Sequence, residues 1–344
     1  MGDGARHLRV VGLEAAVMAS ARGLHFVGMV FALCAPAWLH AQTAPARWPE
    51  RPVRFIVPFP PGGGSDVVAR AVAIKLSDAW AQQVVVDNRP GAATLLGTDL
   101  AAKAPADGYT LLMASSSYAI NPHLQKKMPY ETLKDHAPVT QAAYQPYVFV
   151  THPSVPARNV KEFLALARAK PGTLNFGSPG AGSGGHLAVE HFRLASNTSM
   201  THVPYRGGAP ALTDLIAGQI QFMFPTMLAV APHTRTGRLR SLAVSSVKRS
   251  SVMPDLPTIA ESGLPGFEAT SWNGLMTPAG VPAPIIAKIY KDAVQALRAP
   301  DVRDKLAADG AEPVANSPEE FSRHIRSEFE KWGRVIKAAG LRAE

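Results

Sequence analysis

The sequence predicts an α/β fold of two lobes, each a mainly parallel sheet flanked by helices. Short runs rich in β-branched residues alternate along the chain with segments whose apolar residues recur at helical spacing. This alternation is typical of parallel sheets covered by helices. The 344-residue length is enough for about two domains, and extended segments near 140–151 and 268–276 are placed to connect them.

We assign residues 42–145 and 268–344 to a first, discontinuous lobe. Its first strand, at 53–58, leads through a Pro-Pro-Gly-Gly-Gly loop into a helix at 65–81. The further predicted elements of this lobe are a strand at 83–87, a helix at 95–104, strands at 110–114 and 139–143, and helices at 284–298 and 318–339.

The second lobe is predicted from residues 146–267. Its predicted strands are 147–151, 174–177, 200–204, 220–224 and 239–244, and its predicted helices are 160–169, 185–195 and 209–217. A ligand held between two such lobes lies at the carboxyl ends of the strands.

Composition excludes several classes of protein. Hydrophobic residues make up 47% of the chain and charged residues 18%, which excludes a disordered chain and a coiled coil. The 35 Lys and Arg outnumber the 26 Asp and Glu, for a net charge of +9. Because the basic residues are scattered singly, without interleaved aromatic rings, we expect no nucleic-acid partner. The cationic surface mildly favours anionic ligands.

Residues 1–41 have the features of a signal peptide. Arg22 precedes a short apolar run at 23–34, and small residues up to Ala41 offer a cleavage site. The run is too short to span a bilayer. We therefore expect an exported monomer that begins at Gln42. Since Cys34 is the only cysteine, that chain would form no disulfide and use no thiol chemistry.

Three polar or glycine-rich loops follow successive strands of the first lobe. Gly62, Gly63 and Ser65 precede a helix, and exposed N–H groups with a capping hydroxyl form an anion site there. Asp66 is predicted to stabilise the helix dipole rather than contact a ligand. The other two loops are Asn88-Arg-Pro-Gly-Ala92 and Ser115-Ser-Ser117.

The loop Gly180-Ala-Gly-Ser-Gly-Gly185 matches the dinucleotide fingerprint. That interpretation needs an acidic residue about twenty positions later, where the chain has His202-Val-Pro-Tyr-Arg-Gly-Gly208 instead. A helix N-terminus that binds a carboxylate, with hydroxyls from Ser178 and Ser183, is the simpler interpretation. A nucleotide-dependent oxidoreductase remains the alternative.

Patterns for catalysis and metal binding fail on spacing. No serine lies in a Gly-x-Ser-x-Gly motif. His186, Glu190 and His191 do not have the order of a zinc-protease helix. We therefore expect no catalytic residue, no metal and no cofactor.

Five motifs in order resemble the Bug family, the TctC-like periplasmic solute receptors of tripartite tricarboxylate transporters. They are the segments 51–66, 88–92, 106–110, 202–208 and 256–263, which read RPVRFIVPFPPGGGSD, NRPGA, ADGYT, HVPYRGG and LPTIAESG. The resemblance covers roughly residues 48–341. It implies a periplasmic-binding-protein fold of the type II, Venus flytrap kind that closes on a small carboxylate without catalysis.

The resemblance also implies where the ligand lies and which proteins receive it. The loops at 59–66, 91–92 and 178–186 would line the cleft between the lobes, and membrane permease subunits would accept the ligand. A receptor that serves a two-component sensor is the alternative. With the hydroxyls noted above, the predicted ligand-binding residues are Phe59, Pro61, Gly62, Gly63, Ser65, Gly91, Ala92, Ser115, Ser117, Ser178, Gly180, Ser183, His186, Tyr205, Gly207 and Thr226.

The chain departs from the family pattern after Phe224. Pro225 and Thr226 stand where the family commonly has Asp-Asn. Pro225 provides neither a backbone donor nor an acid that could meet an amine, so an amino-acid ligand becomes a weaker expectation. Thr226 keeps a hydroxyl donor.

Overall fold

The strands lie in two separate sheets in the computed structural model, which describes residues 48–308 and 310–341. The signal peptide predicted at 1–41 lies outside the described residues. In chain order the strands are β1 (Val53–Val57), β2 (Val84–Asn88), β3 (Thr110–Ser115), β4 (His136–Pro146), β5 (Val148–Thr151), β6 (Asn175–Ser178), β7 (Thr201–Pro204), β8 (Phe222–Met223), β9 (Arg240–Val244), β10 (Thr270–Pro278) and β11 (Glu312–Pro313).

Helices follow most of the strands. They are α1 (Gly64–Trp80), α2 (Leu95–Ala102), α3 (Ser117–Leu124), α4 (Val160–Ala169), α5 (Gly184–Ser196), α6 (Gly208–Ile216), α7 (Met227–Arg235), α8 (Ala283–Arg298), α9 (Pro300–Ala308) and α10 (Pro318–Ala338). Within residues 48–308 and 310–341, no helix has both the length and the apolarity needed to cross a bilayer.

The two-lobed α/β fold is confirmed, but the sheets are mixed rather than mainly parallel. The first sheet has the order β11-β4-β10-β3-β1-β2, and the second has the order β7-β6-β8-β5-β9. Strand β1 pairs in parallel with β2 and β3, as β6 does with β7 and β8. Strands β10 and β5 pair antiparallel with both of their neighbours. The reason is that the chain passes between the sheets along extended segments, without the helical crossover that a parallel neighbour requires.

The chain changes sheets at Tyr147, which lies between β4 and β5, and it returns between β9 and β10. The lobe limits at 145/146 and 267/268 stay a prediction.

Strand β5 is buried on both faces. Phe149 packs against Phe163 and Phe192, with ring centroids 4.8 and 5.1 Å away. On the opposite face, Val148 and Val150 join a second apolar cluster with helices α6 and α7. Because successive strand residues point to opposite faces, this interior strand holds helices on both sides of the sheet.

Helix α10 packs against helices that follow strands of each of the two sheets. A capping box of Ser317 and Glu320 begins it. It contacts α3, which follows β3, and α5, which follows β6. His123 of α3 illustrates the contact, because its ring lies 4.4 Å from that of Phe329.

Candidate functional site

A cavity of about 840 Å³ lies where the loops after β1, β3 and β6 meet. We call it the central cavity. No charged side chain lines it among the described residues. Its lining residues are Phe59, Ser65, Ala93, Thr94, Ser115, Ser116, Ser117, Ile120, Asn121, Leu124, Gln125, Tyr147, Pro179, Gly180, Ala181, Gly182, Ser183, Gly184, Ser271, Gly340 and Leu341.

Helix α1 begins at this cavity without a capping side chain. Gly63 is its N-cap, so Ser65 does not cap the helix as expected. The Ser65 hydroxyl donates instead to Asn273 Oδ1, 2.5 Å away on β10. The first N–H groups of a helix have no partner within the helix, and here no capping side chain supplies one.

Asp66 stabilises the loop that precedes α1. It is 2% exposed and does not line the cavity. Its carboxylate accepts hydrogen bonds from the Gly62 N–H at 2.9 Å, from Arg70 Nε at 2.8 Å and from Asn88 Nδ2 at 2.9 Å. Burial raises the pKa of Asp66, but the hydrogen bonds outweigh it and hold the pKa below its ordinary value.

The second loop reaches the cavity two residues later than expected. Ala93 and Thr94 line the wall, whereas Gly91 and Ala92 do not. All four have positive φ, at 139°, 45°, 52° and 82° in chain order. Asn121 of α3 supports the loop by donating from Nδ2 to the Ala93 carbonyl at 2.6 Å. Consecutive L-residues in this region are strained.

The third loop supplies hydroxyls directly. Ser115 and Ser117 line the cavity at the junction of β3 and α3. Ser116 between them holds β10, because its Oγ accepts the Trp272 N–H at 3.0 Å. Ser116 also donates its own N–H to the Trp272 carbonyl at 3.2 Å.

Helix α5 begins on the opposite wall. Ser183 is its N-cap, and its Oγ accepts the His186 N–H at 3.4 Å. His186 returns the contact, since its Nδ1 accepts the Gly182 N–H at 3.0 Å. Nδ1 must therefore be unprotonated. Burial, followed by the charges of His202 and Arg193, lowers the pKa of His186 to about 3.

Ser178 lies behind this loop rather than in the wall. It is 1% exposed, and its Oγ donates to the Gly180 carbonyl at 3.0 Å and accepts the Gly180 N–H at 3.2 Å. His202 Nε2 lies 2.7 Å from the same oxygen. Because Ser178 Oγ has one proton and gives it to Gly180, His202 Nε2 is the donor.

A second cavity, of about 290 Å³, adjoins the first. We call it the side cavity. Tyr147 and Pro179 line both cavities. The side cavity is otherwise lined by Gly185, Gly208, Ala209, Leu212, Met223, Phe224, Pro225, Thr226 and Ala229.

Tyr147 packs closely at the junction of the two cavities. Its hydroxyl is hydrogen-bonded to Ser271 of β10, and burial raises its pKa to about 12. A Cβ placed on Gly184 would collide with this hydroxyl, and one on Gly185 would lie 2.9 Å from the Phe224 carbonyl oxygen. The start of α5 therefore approaches both neighbours as only glycine allows.

The structure brings together part of the predicted set. Phe59, Ser65, Ser115, Ser117, Gly180 and Ser183 line the central cavity, and Thr226 lines the side cavity. Pro61, Gly62, Gly63, Gly91, Ala92, Ser178, His186, Tyr205 and Gly207 line neither of these cavities.

Tyr205 and Gly207 instead secure the loop after β7. The Tyr205 hydroxyl donates to Asp214 at 2.8 Å, and the Gly207 N–H donates to the Pro179 carbonyl at 3.1 Å. The Tyr205 bond thus holds this loop to α6, and the Gly207 bond positions the Pro179 segment from outside the cavity.

Sequence reasoning missed Thr94, Asn121, Tyr147 and Ser271 in the wall. Tyr147 and Ser271 lie within the two connecting segments that the sequence identified, so a search of those segments could have found them. Asn121 gave no such signal, since its helix was not predicted.

Comparison with known proteins decides the family. A family model described as the tripartite tricarboxylate transporter family receptor, TctC, matches residues 68–341. The chain belongs to this family. It is therefore a solute-binding receptor of the TctC type, and the resemblance to Bug proteins that the five motifs carry is confirmed.

Relatives of this receptor cover almost its whole described length. Protein BugT of Bordetella pertussis is 39% identical over 310 residues, which are 90% of this chain and 95% of that protein. The structure of R. palustris Rpa4515 with adipate has 35% identity and a TM-score of 0.71, covering 86% of this chain and 100% of that one. MatC from Rhodopseudomonas palustris with bound malate has 30% identity and a TM-score of 0.67, covering 84% and 100%.

Proposed function

We propose that this receptor binds a small carboxylate in the central cavity, in the periplasm, and delivers it to the membrane permease of a tripartite transporter without chemical change. The observation that carries the proposal is the composition of the cavity wall. Helices α1 and α5 begin there, and hydroxyls line it without a charged side chain from the part of the chain that the structure describes. Helix N-termini and hydroxyls stabilise an anion, whereas a cation would meet no carboxylate in this wall.

The relatives support the same class of ligand. The structure of Rpa4515 has adipate and that of MatC has malate, and both of these are carboxylates. A carboxylate held by groups from both lobes would favour the closed arrangement, because only that arrangement offers every contact.

Ser117 gives the sharpest test of binding. Its hydroxyl lines the cavity and makes no hydrogen bond among those found in the described residues, so Ser117→Ala removes a ligand contact without removing a fold contact. Hydrogen bonds to charged groups contribute about 1.5–3 kcal/mol. We expect calorimetry with a carboxylate panel to show affinity ten- to a hundredfold weaker for Ser117→Ala, with an unchanged melting temperature in the absence of ligand.

The control is Ser199→Ala, which changes an exposed serine outside both cavities and should leave affinity as in the wild type. Binding of no carboxylate in the panel, or a melting shift with nicotinamide nucleotides instead, would overturn the proposal.

Delivery needs a separate assay. Uptake of a labelled carboxylate by cells lacking this receptor should be restored by the wild-type gene and only weakly by Ser117→Ala. Binding without any contribution to uptake would favour the sensor alternative.

A further inference from the structure

The side cavity differs in chemistry from the central cavity that it adjoins. Its wall contains no charged side chain among the described residues, and the polar side chains present there are those of Tyr147 and Thr226. Met223 and Phe224 are buried, and Leu212 and two alanines complete the apolar part. Burying an unpaired polar group in such a place is costly.

Pro225 adds to this apolar character. It has no N–H to donate, and its carbonyl already accepts the Val148 N–H at 2.9 Å. At position 225 the wall therefore offers a ligand the hydrocarbon surface of a ring rather than a polar group, and Thr226 is the polar side chain of this segment.

The two cavities share part of their walls. Gly184 lines the central cavity and Gly185, the next residue, lines the side cavity. Tyr147 and Pro179 belong to both walls. A ligand whose carboxylate lies at the start of α5 would thus need only a few bonds to place its remaining atoms in the side cavity.

The volume is sufficient for a substantial group. An apolar cavity of about 150 Å³ accepts a benzene molecule, and the side cavity has about 290 Å³. A phenyl ring or a chain of several methylenes therefore fits.

We propose that the natural ligand is a carboxylate with an apolar chain or ring, and that the side cavity binds this apolar part. The inference rests on the proposed function and adds the class of substituent. Each buried methylene contributes enough transfer free energy to raise affinity about fourfold. Affinity should therefore rise with chain length, and a second carboxylate at the far end should lower it.

Calorimetry on the purified receptor with propanoate, pentanoate, heptanoate and heptanedioate tests this. The four additional methylenes should make heptanoate bind about 200-fold more tightly than propanoate. Heptanedioate should bind more weakly than heptanoate. The proposal is overturned if propanoate binds and heptanoate binds no better, or if heptanedioate binds more tightly than heptanoate. Binding of none of the four acids would instead count against the proposed function.

Two variants assign the effect to the side cavity. A Cβ on Gly208 meets only Pro179 Cγ, at 3.9 Å, so Gly208→Leu has room to extend into the cavity. The ratio of heptanoate to propanoate affinity should fall to near one. The matched control is Thr213→Leu, which adds the same side chain to an exposed position on the same helix and should keep the wild-type ratio.

Ala229→Leu, from α7, provides a second filling variant with the same expectation should Gly208→Leu fold poorly. A wild-type ratio in a folded filling variant would place the apolar part elsewhere and overturn the proposal.

Discussion

The imidazole rings of His186 and His202 stack face to face, with their centroids 3.8 Å apart and their planes 12° from parallel. Protonating both rings would place two positive charges in contact. His186 Nδ1 also accepts the Gly182 N–H, and a protonated Nδ1 could not. The stack therefore requires His186 to be neutral, and it couples the loop before α5 to pH.

We predict that acid destabilises the protein through its buried histidines. Burial lowers the pKa of His136 to about 4, and burial with nearby charges lowers that of His186 to about 3. The unfolded state then binds more protons below pH 6.5, so stability is full above that pH and falls as the pH decreases toward 3–4. Each histidine should cost up to about 1.4 kcal/mol per pH unit in this window.

Urea unfolding between pH 7.5 and pH 4.5 measures the slope. His186→Gln should reduce the change in unfolding free energy per pH unit by the contribution of one histidine. A slope equal to that of the wild type would show that His186 does not titrate as described.

The strained loop before α2 yields a second prediction. Ala93 has φ 52°, a conformation that costs an L-residue about 1–2 kcal/mol. Glycine removes that strain but loses about 0.5–1 kcal/mol of conformational entropy. Ala93→Gly should therefore leave the free energy of unfolding unchanged or raise it by about 1 kcal/mol. The matched control is Ala287→Gly at an exposed position inside helix α8, which should cost about 1 kcal/mol. Equal losses in the two variants would contradict strain at Ala93.

Ser178 is predicted to matter for stability more than for ligand contact. Ser178→Ala leaves the Gly180 N–H and His202 Nε2 without their buried partner, whereas the Gly180 carbonyl still accepts the Ser183 N–H at 3.2 Å. An unsatisfied buried group costs about 1–3 kcal/mol, so chemical denaturation should show a loss of this size. A melting temperature like that of the wild type, together with strongly weakened binding, would show that Ser178 contacts the ligand and does not mainly stabilise the loop.

Asp66→Asn tests whether the Asp66 carboxylate stabilises the start of α1. The substitution keeps the shape of the side chain but removes the charge that accepts from Arg70 and the Gly62 N–H. It should cost about 1–3 kcal/mol near pH 7. Because the folded pKa of Asp66 lies below its ordinary 3.8, the wild-type advantage is present above about pH 4. It should diminish as the pH falls through the folded pKa, and denaturation at pH 7 and at acid pH would reveal it. A difference that does not depend on pH would contradict a stabilising carboxylate.

Residues at the carboxyl ends of strands could be predicted from the sequence, because strand-to-helix junctions are visible in hydrophobic patterns. Ser65, Ser115, Ser117 and Ser183 are of this kind. Helices α3 and α7 were missed, since Pro122 and Pro232 lie inside them and proline is typical of loops. The wall groups that depend on those helices, such as Asn121 and Ala229, were missed with them.

In the second loop, the observed wall residues lie two positions after the predicted ones, and this difference has another cause. Its wall residues are set by a run of positive φ values from Gly91 to Thr94, and Ala93 and Thr94 carry no local signal for that conformation. Tertiary support from Asn121 supplies it. A pattern read along the chain contains no information about this contact.

The close approach of Gly184 to Tyr147 restricts how this receptor can diverge. A side chain at position 184 would collide with the Tyr147 hydroxyl, so Gly184→Ala is excluded while that hydroxyl is present. Tyr147→Phe removes the obstructing atom and makes the exchange at 184 accessible. Because both residues lie where the two cavities adjoin, a change at 184 that would reshape this junction requires the Tyr147 hydroxyl to be lost or displaced first.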